Sequence, residues 1–422
     1  MSDGRAYITV GLGFGDEGKG ATVDYLCNPM SKLGLQVDYV VRYNGGPQCG
    51  HNVYGLNKEN KVVHHTFSQF GSGSFHEVDT LLSRYMLIDP LAMIEEANAL
   101  EEKGILSSPW DYMFIEPQCL VISPFQKILN KIQMMYSGRL NSTGRGVGVC
   151  RRHSLDGHRI QVEDMLDKEV FAQKLLQSQS LCCSEMSALI PGVVNKITDD
   201  DEKMELFTDY CNFLSAPGVV ELLLDRYEQF PAEMFITDSV NIEGDLVFEG
   251  AQGFLLDETY GQDDYNTWTN TTAENAHGFL DSYEWSGERR LVGVTRTYRT
   301  RHGEGPMSLE HEEYIPDENN NAETGPGPLR TGGIFTGSIC SAQRIIGPIH
   351  TLAVNHMDVC SLPQDVRQFV LDNQNLVDVI IGRGPTARDR EVISREEFLV
   401  RYTDYASLKV WHATFTDLGQ VK

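Results

Sequence analysis

The sequence has no long apolar run, no repeated C-x-x-C spacing and few basic residues. Its first residues, MSDGRAYITVGLGFG, lack the basic start and unbroken apolar stretch of a signal peptide, and no later segment is apolar for long enough to span a bilayer. Only 35 Lys and Arg stand against 60 Asp and Glu, a net charge of −25 that would repel a nucleic-acid backbone. We therefore expect a soluble, cytoplasmic protein that binds neither membranes nor nucleic acid.

The nine cysteines are an odd number and show no repeated C-x-x-C spacing of the kind that binds zinc. We expect most of them to be reduced thiols in the core. A chain of 422 residues with 41% hydrophobic content can bury a large core, either as one large α/β domain or as two ordinary domains.

Short apolar segments alternate with helical patterns along the chain. The predicted strands are residues 7–11, 37–42, 246–249, 291–295 and 352–355, and the predicted helices are residues 21–27, 87–103, 124–136, 169–177 and 219–227. This alternation predicts an α/β fold, a single large domain over residues 1–422 around a mostly parallel central sheet. Residues 262–270 and 317–333 are polar and rich in turn residues, which indicates ligand loops.

A glycine loop follows the first predicted strand. Residues 13–20, GFGDEGKG, have the G-x-x-x-x-G-K spacing of a phosphate-binding loop, in which backbone amides face an anion. Gly20 stands where a Ser or Thr hydroxyl would hold magnesium, which disfavours a P-loop kinase. Asp16 and Glu17 would repel a polyphosphate unless one of them binds a cation or takes a proton from a substrate. The alternative is a solvated turn between strand and helix.

Seven segments together resemble the signatures of adenylosuccinate synthetases, in the order of that family and over most of the chain. They are GFGDEGKG (13–20), VVRYNGGPQCGHN (40–52), STGRGVG (142–148), FEGAQGFLLD (248–257), NTWTNTTA (266–273), TYRTRHGEGP (297–306) and GPTARDR (384–390). The resemblance implies a ligase that uses a nucleoside triphosphate to phosphorylate the 6-oxygen of a purine nucleotide. L-Aspartate then displaces that phosphate.

The resemblance also implies roles for individual residues. Asp16 would take the ring proton beside the 6-carbonyl and contact Mg²⁺, and the carbonyl of Gly50 would complete the metal shell. His51 would be the acid that supports charge between the β- and γ-phosphates; His64 and His65 are expected to be strand residues. The positions expected to bind nucleotide are Gly15, Gly18, Lys19, Gly20, Gln48, Thr143, Arg151, Arg152, Gln252, Thr267, Arg330, Asp358, Gly384 and Pro385.

Two of these positions carry further implications. Arg151 or Arg152 matches an arginine that reaches the phosphate site of the neighbouring subunit, which implies a homodimer. Adenylosuccinate synthetases have a Thr-Lys-x-Asp pattern where this chain has Asn-His-Met-Asp at residues 355–358. Asp358 can still pair with guanine, but the lysine is lost. GTP is therefore the expected triphosphate, and ATP or dATP stays open.

The chain departs from ordinary members near the base and the sugar. Residues 322–330 keep one arginine, Arg330, where the family has an arginine-rich loop that holds aspartate and reaches the ribose 2′-hydroxyl. Pro47 and Gln48 replace a His-Asn pair, and such a proline is typical of the phage branch that makes a 2-aminoadenine precursor from dGMP. Most of that branch has serine where this chain has Asp16.

We therefore expect dGMP as the substrate, with IMP as the alternative; the location would be the host cytoplasm if the protein is phage-encoded. A third hypothesis is a non-catalytic nucleotide-binding protein.

Overall fold

The structure is a computed structural model, and it describes residues 4–138, 142–232, 242–261, 265–312, 315 and 327–402. The described strands are β1 (Arg5–Gly11), β2 (Val37–Arg42), β3 (His51–Leu56), β4 (Val62–Phe67), β5 (Asp79–Leu82), β6 (Leu87–Ile88), β7 (Met113–Ile115), β8 (Leu120–Val121), β9 (Asp245–Glu249), β10 (Glu288–Arg296), β11 (Arg299–His302), β12 (Leu329–Gly332), β13 (Thr351–Asn355), β14 (Asp378–Gly382) and β15 (Arg390–Ser394).

The described helices of seven residues or more are α1 (Lys19–Cys27), α2 (Pro90–Glu102), α3 (Pro124–Ser137), α4 (Val147–Leu155), α5 (Lys168–Ile197), α6 (Asp201–Ser215), α7 (Val219–Tyr227), α8 (Glu274–Ser282), α9 (Thr336–Ile346), α10 (Gln364–Asp372) and α11 (Arg395–Arg401). Within the described ranges, no helix combines the length and the apolar composition that a membrane crossing needs.

Nine strands form one sheet in the order β15-β14-β13-β10-β1-β9-β2-β5-β7. Every neighbouring pair is parallel except β14 and β15. Six of the seven residues of β1 are buried, as expected for a strand that has neighbours on both sides and helices over both faces. The predicted α/β fold with a mostly parallel sheet is confirmed. The span 1–422 stays a prediction, because residues 1–3 and 403–422 lie outside the described residues.

The predicted helix over residues 87–103 is wrong at its start. Leu87 and Ile88 form β6, which pairs with β8, and the helix begins at Pro90. Asp89 caps the helix by accepting a hydrogen bond from the Ala92 amide, and proline suits the first helical turn because its missing N–H needs no partner there.

The predicted helix over residues 169–177 is too short. Helix α5 continues to Ile197, because its buried side chains keep a spacing of three or four residues well past residue 177, through Cys182 and Met186. This helix packs with α2, α3, α6 and α7 around one hydrophobic core, beside the β5 and β7 end of the sheet.

The strands of the hairpin β3–β4 lie outside the large sheet. His64 and His65 lie in β4, as predicted for strand residues. All nine cysteines are free thiols, and five of them are buried.

The carboxyl ends of the parallel strands meet at one edge of the sheet, where ligands bind in open α/β folds. The glycine loop leaves β1 at this edge, and Glu249 ends β9 there.

Candidate active site

A cleft of about 980 Å³ opens at this edge, between the glycine loop, the start of β3 and the loops that follow β9 and β13. Most of the predicted site residues line it. They are Gly15, Asp16, Gly18, Lys19, Gly20, Gln48, Gly50, His51, Thr143, Arg152, Gln252, Thr267, Asp358, Gly384 and Pro385.

The carboxylate of Glu17 is turned into the glycine loop and away from the cleft. It accepts hydrogen bonds from the amides of Gly13 and Gly15 at 3.0 and 2.8 Å. It also pairs with the Lys19 ammonium at 2.5 Å, and both side chains are almost fully buried. Glu17 therefore holds the loop in shape from inside. The carboxylate that faces the cleft is that of Asp16.

Asp16 has a left-handed backbone, with φ of 59°. Its side chain is about a quarter exposed, and Oδ2 lies 3.1 Å from Nε2 of His302. Burial opposes ionisation, but the His302 hydrogen bond and charge, with the charges of Arg296 and Lys19, outweigh it and lower the pKa of Asp16. An ionised carboxylate therefore faces the cleft. His302 lies in the motif at residues 297–306, but no role for it was predicted from the sequence.

His51 begins β3 and is held by a buried carboxylate. Its Nδ1 lies 2.5 Å from Oε1 of Glu249, which is fully buried. Burial opposes ionisation of Glu249, but the charges of Arg42 and His51 lower its pKa to about 2. Burial lowers the pKa of His51 against the opposing charge of Glu249. Because Nδ1 faces Glu249, Nε2 is the ring nitrogen left for a ligand.

Gly20 lies against this histidine. A Cβ at residue 20 would stand 2.6 Å from the Cβ of His51 and 3.0 Å from Oγ of Ser72. Side chains at such distances must shift, so the Ser or Thr of an ordinary phosphate loop has no room here. Packing therefore explains why Gly20 stands where phosphate-binding loops commonly have Ser or Thr.

Two side-chain amides in the cleft have atoms without hydrogen-bond partners among the described residues. Oε1 of Gln252 and both side-chain polar atoms of Gln48 are buried without a hydrogen-bond partner among the described residues. Gln252 also has φ of 59°, a strained value for a residue with a side chain. Buried polar groups are usually satisfied, so these amides are suited to a polar ligand.

Trp268 is 49% exposed and lies in the cleft beside Thr267. Its ring packs on Gly148, in the first turn of α4, where a Cβ would stand 2.8 Å from the indole Cδ1. The loop that carries Trp268 is anchored by Asp257, a fully buried carboxylate that accepts a hydrogen bond from the amide of Thr271 at 2.6 Å. Residues 262–264 of the predicted ligand loop 262–270 lie outside the described residues.

Arg151 and Arg330, which were expected to bind nucleotide, do not line the cleft. Arg330 pairs through Nε with Glu310 at 2.6 Å and donates through Nη1 to the carbonyls of Gly303 and Gly305 at 3.1 and 2.8 Å. Its guanidinium is thus held by the protein itself. Residues 316–326, which make up most of the predicted loop 317–333 and part of segment 322–330, lie outside the described residues.

A different arginine, Arg301, lines the cleft and was missed from the sequence. Its guanidinium lies 4.3 Å from the ring centre of Phe14 and donates through Nε to the carbonyl of Glu304 at 3.1 Å. Burial, with the nearby charge of Arg330, lowers the pKa of Arg301 to about 10. Arg301 therefore stays charged near neutral pH, and its Nη1 donates to the carbonyl of Pro306 at 2.5 Å.

The described residues contain no group of three or more His, Cys, Asp or Glu that could hold a metal ion. Asp16 and Gly50 nevertheless line the same cleft and offer oxygen donors. Mg²⁺ in nucleotide sites takes one or two protein oxygens and completes its shell with phosphates and waters. The residues present therefore fit a magnesium nucleotide.

The sequence matches the adenylosuccinate synthetase family over residues 8–372. It is 29% identical over 364 residues to the adenylosuccinate synthetase of Clostridium beijerinckii, covering 84% of this chain and 78% of that protein. It is 30% identical over 374 residues to the adenylosuccinate synthetase of Halothermothrix orenii, covering 85% of this chain and 79% of that protein.

Two solved structures share the fold. The fully ligated adenylosuccinate synthetase of Plasmodium falciparum has a TM-score of 0.63 at 18% identity and covers 93% of this chain and 100% of its own. The succinoaminodeoxyadenylate synthetase of cyanophage S-2L, bound to dGMP and to dATP as an energy donor, has a TM-score of 0.57 at 14% identity and covers 96% of this chain and 99% of its own.

Gly20→Ser gives the loop the residue of an ordinary phosphate-binding loop, yet overpacking at His51 is expected to lower the free energy of unfolding by ~1–3 kcal/mol. Because His51 and the loop must then shift, binding of a magnesium nucleoside triphosphate should also weaken. Isothermal titration calorimetry measures the affinity, and thermal unfolding shows whether the variant is folded. Gly20→Ala adds only the Cβ and should lose as much. Binding by Gly20→Ser as tight as that of the wild type would contradict the packing explanation.

Proposed function

The chain belongs to the adenylosuccinate synthetase family, and we propose that within this family it acts on dGMP, giving 2-amino-2′-deoxy-N6-succinyladenylate. It is a carbon–nitrogen ligase that joins aspartate to a purine nucleotide; the choice of nucleotide, the residue roles and the assembly are what we propose. The proposal would place it in the branch that makes a 2-aminoadenine precursor.

The observation that carries the choice of dGMP is the position of Arg330. This is the one arginine that segment 322–330 keeps, and its guanidinium is taken up by Glu310 and by backbone carbonyls outside the cleft. The guanidinium of an arginine is well suited to hold a carboxylate or a hydroxyl, because it presents several N–H donors in one plane. With Arg330 withdrawn, a sugar that has no 2′-hydroxyl loses nothing, which favours a deoxynucleotide.

Two further points support a deoxyguanylate. Gln48 and Gln252 place unpartnered amide atoms in the cleft, and an amide can both donate to and accept from the edge of a guanine. The cyanophage synthetase with the same fold has dGMP and dATP bound. IMP is the second candidate, because Asp16 matches the ordinary synthetases.

In the proposed reaction Asp16 takes the proton from N1 of the purine while the 6-oxygen attacks the γ-phosphorus. The bond from that phosphorus to the β–γ bridging oxygen breaks, and the protonated ring of His51 supports the charge that develops on that oxygen. The amine of aspartate then adds to C6 and loses a proton, and phosphate leaves with the former 6-oxygen. Magnesium, when bound through Asp16 and the Gly50 carbonyl, supplies positive charge to the phosphates.

The remaining residues of the cleft are assigned to binding. The backbone amides of Gly18, Lys19 and Gly20, at the start of α1, are assigned to the phosphates, because the Lys19 ammonium is already paired with Glu17. Thr143 and Thr267 hold the monophosphate, and Asp358, with Gly384 and Pro385, faces the base of the triphosphate. GTP, ATP and dATP remain the candidates for that triphosphate.

The substrate choice is tested by incubating the protein with aspartate, magnesium, one of GTP, ATP or dATP, and either dGMP or IMP. The product is identified by mass. We expect turnover of dGMP to exceed that of IMP by about tenfold or more, the discrimination expected of one lost or gained polar contact. Turnover of IMP alone would overturn the choice of dGMP and leave the ligase assignment in place.

Asp16→Asn tests the proposed base, because the amide keeps the shape of the side chain and cannot take a proton. We expect kcat to fall by about 10²–10⁴-fold with the affinity for dGMP little changed, as measured by steady-state kinetics and calorimetry. Asp38→Asn, at an exposed position outside the cleft, is the matched control. Activity retained by Asp16→Asn would remove Asp16 from the chemistry.

We also propose a homodimer in which Arg151 reaches the monophosphate in the partner's cleft. Arg152 is the less suitable of the two arginines, because Glu185 of the same chain holds its guanidinium at 2.7 and 3.1 Å.

Arg151→Ala and Asp16→Asn should each be nearly inactive, yet their mixture should recover about a quarter of wild-type activity, since each mixed dimer of a two-fold assembly has one intact site. Analytical ultracentrifugation checks the dimer. A fully active Arg151→Ala variant, or no recovery on mixing, would contradict a shared site.

A further inference from the structure

We propose that Glu249 and Ser72 are positioning residues that hold the ring of His51 with Nδ1 turned inward and Nε2 turned to the cleft. This inference rests on the proposed role of His51. It gives a role to the glutamate of the FEGAQG segment, from which the proposed function uses only Gln252.

The contacts form a chain from the backbone to the ring. Oε1 of Glu249 lies 2.5 Å from Nδ1 of His51 and 2.5 Å from the hydroxyl of Ser72, which donates to it. Oε2 of Glu249 accepts from the amide of Ser72 at 2.9 Å. Glu249 ends the central strand β9, and Ser72 opens a short 3₁₀ helix, Ser72–His76, so rigid elements hold both groups.

The buried charge of Glu249 is balanced. Arg42, at the end of the adjacent strand β2, is fully buried, and its charge together with that of His51 keeps the glutamate ionised. An ionised carboxylate can only accept hydrogen bonds. Nδ1 of His51 must then carry a proton, whether the ring is neutral or charged.

The orientation has a chemical consequence. With Nδ1 committed to Glu249, any proton that the ring gains from or gives to a ligand passes through Nε2. Gly20 also packs against His51, and a side chain at residue 20 would displace the ring.

Glu249→Gln tests this arrangement. The amide can donate to Nδ1, which favours the other tautomer, and it removes the charge behind the ring. We expect kcat to fall about 10- to 100-fold while KM for the nucleotides changes little and the thermal midpoint falls no further than in the control. Glu116→Gln is the matched control, since Glu116 is a buried carboxylate paired with Arg84 outside the cleft. It should lower the midpoint and leave kcat unchanged.

A double-variant cycle separates positioning from structure. In the His51→Asn background, Glu249→Gln should cause no further loss of kcat, because the two residues act through one ring. A loss in that background as large as in the wild type, or a fall in thermal midpoint that accounts for the lost activity, would overturn the proposal.

The tautomer gives a readout that needs no substrate. In ¹⁵N-histidine spectra, with the His51 signals assigned by their absence from His51→Asn, the neutral ring should carry its proton on Nδ1 in the wild type. Glu249→Gln should shift that proton toward Nε2. A wild-type ring protonated on Nε2 would overturn the proposal even in an active enzyme. If no nucleotide is turned over, the proposed function fails, and the spectra still decide the orientation.

Discussion

The contact between the first turn of α1 and the side chain of His51 is the constraint on which the cleft depends. Three segments distant in the sequence meet there: the glycine loop, the start of β3 and the end of β9. The contact is possible because residue 20 has no Cβ. It also excludes the hydroxyl that phosphate loops commonly offer to a cation. Oxygen donors must then come from elsewhere, and Asp16 and Gly50 are placed to offer them.

Buried charge is the second organising element, and it is balanced locally. Glu17 neutralises Lys19 inside the loop, and Glu249 lies between His51 and the charge of Arg42. Each carboxylate also accepts backbone or hydroxyl hydrogen bonds, as buried ions require. The charge of each carboxylate is balanced by its own neighbours. The net negative charge of the chain therefore does not prevent a local site for anions.

The fold was largely readable from the sequence because the central strands are continuous apolar runs; β2 and α7 have the predicted bounds. Errors arose where a local pattern was ambiguous, as at Leu87 and Ile88, or where a helix continued past its predicted end, as α5 does beyond residue 177. The motifs located most of the residues that line the cleft. They could not reveal the inward turn of Glu17 or the contact of Asp16 with His302, because these depend on side-chain direction and on contacts between distant segments.

Trp268 gives the cleft an intrinsic optical signal. Of the three tryptophans that the structure describes, it is the one that lines the cleft, while Trp285 is buried and Trp110 packs between Phe70 and Phe230. Indole emission depends on contact with water, so a nucleotide that covers the half-exposed ring changes its fluorescence. Ligand occupancy can then be followed continuously in unlabelled protein, separately from catalysis.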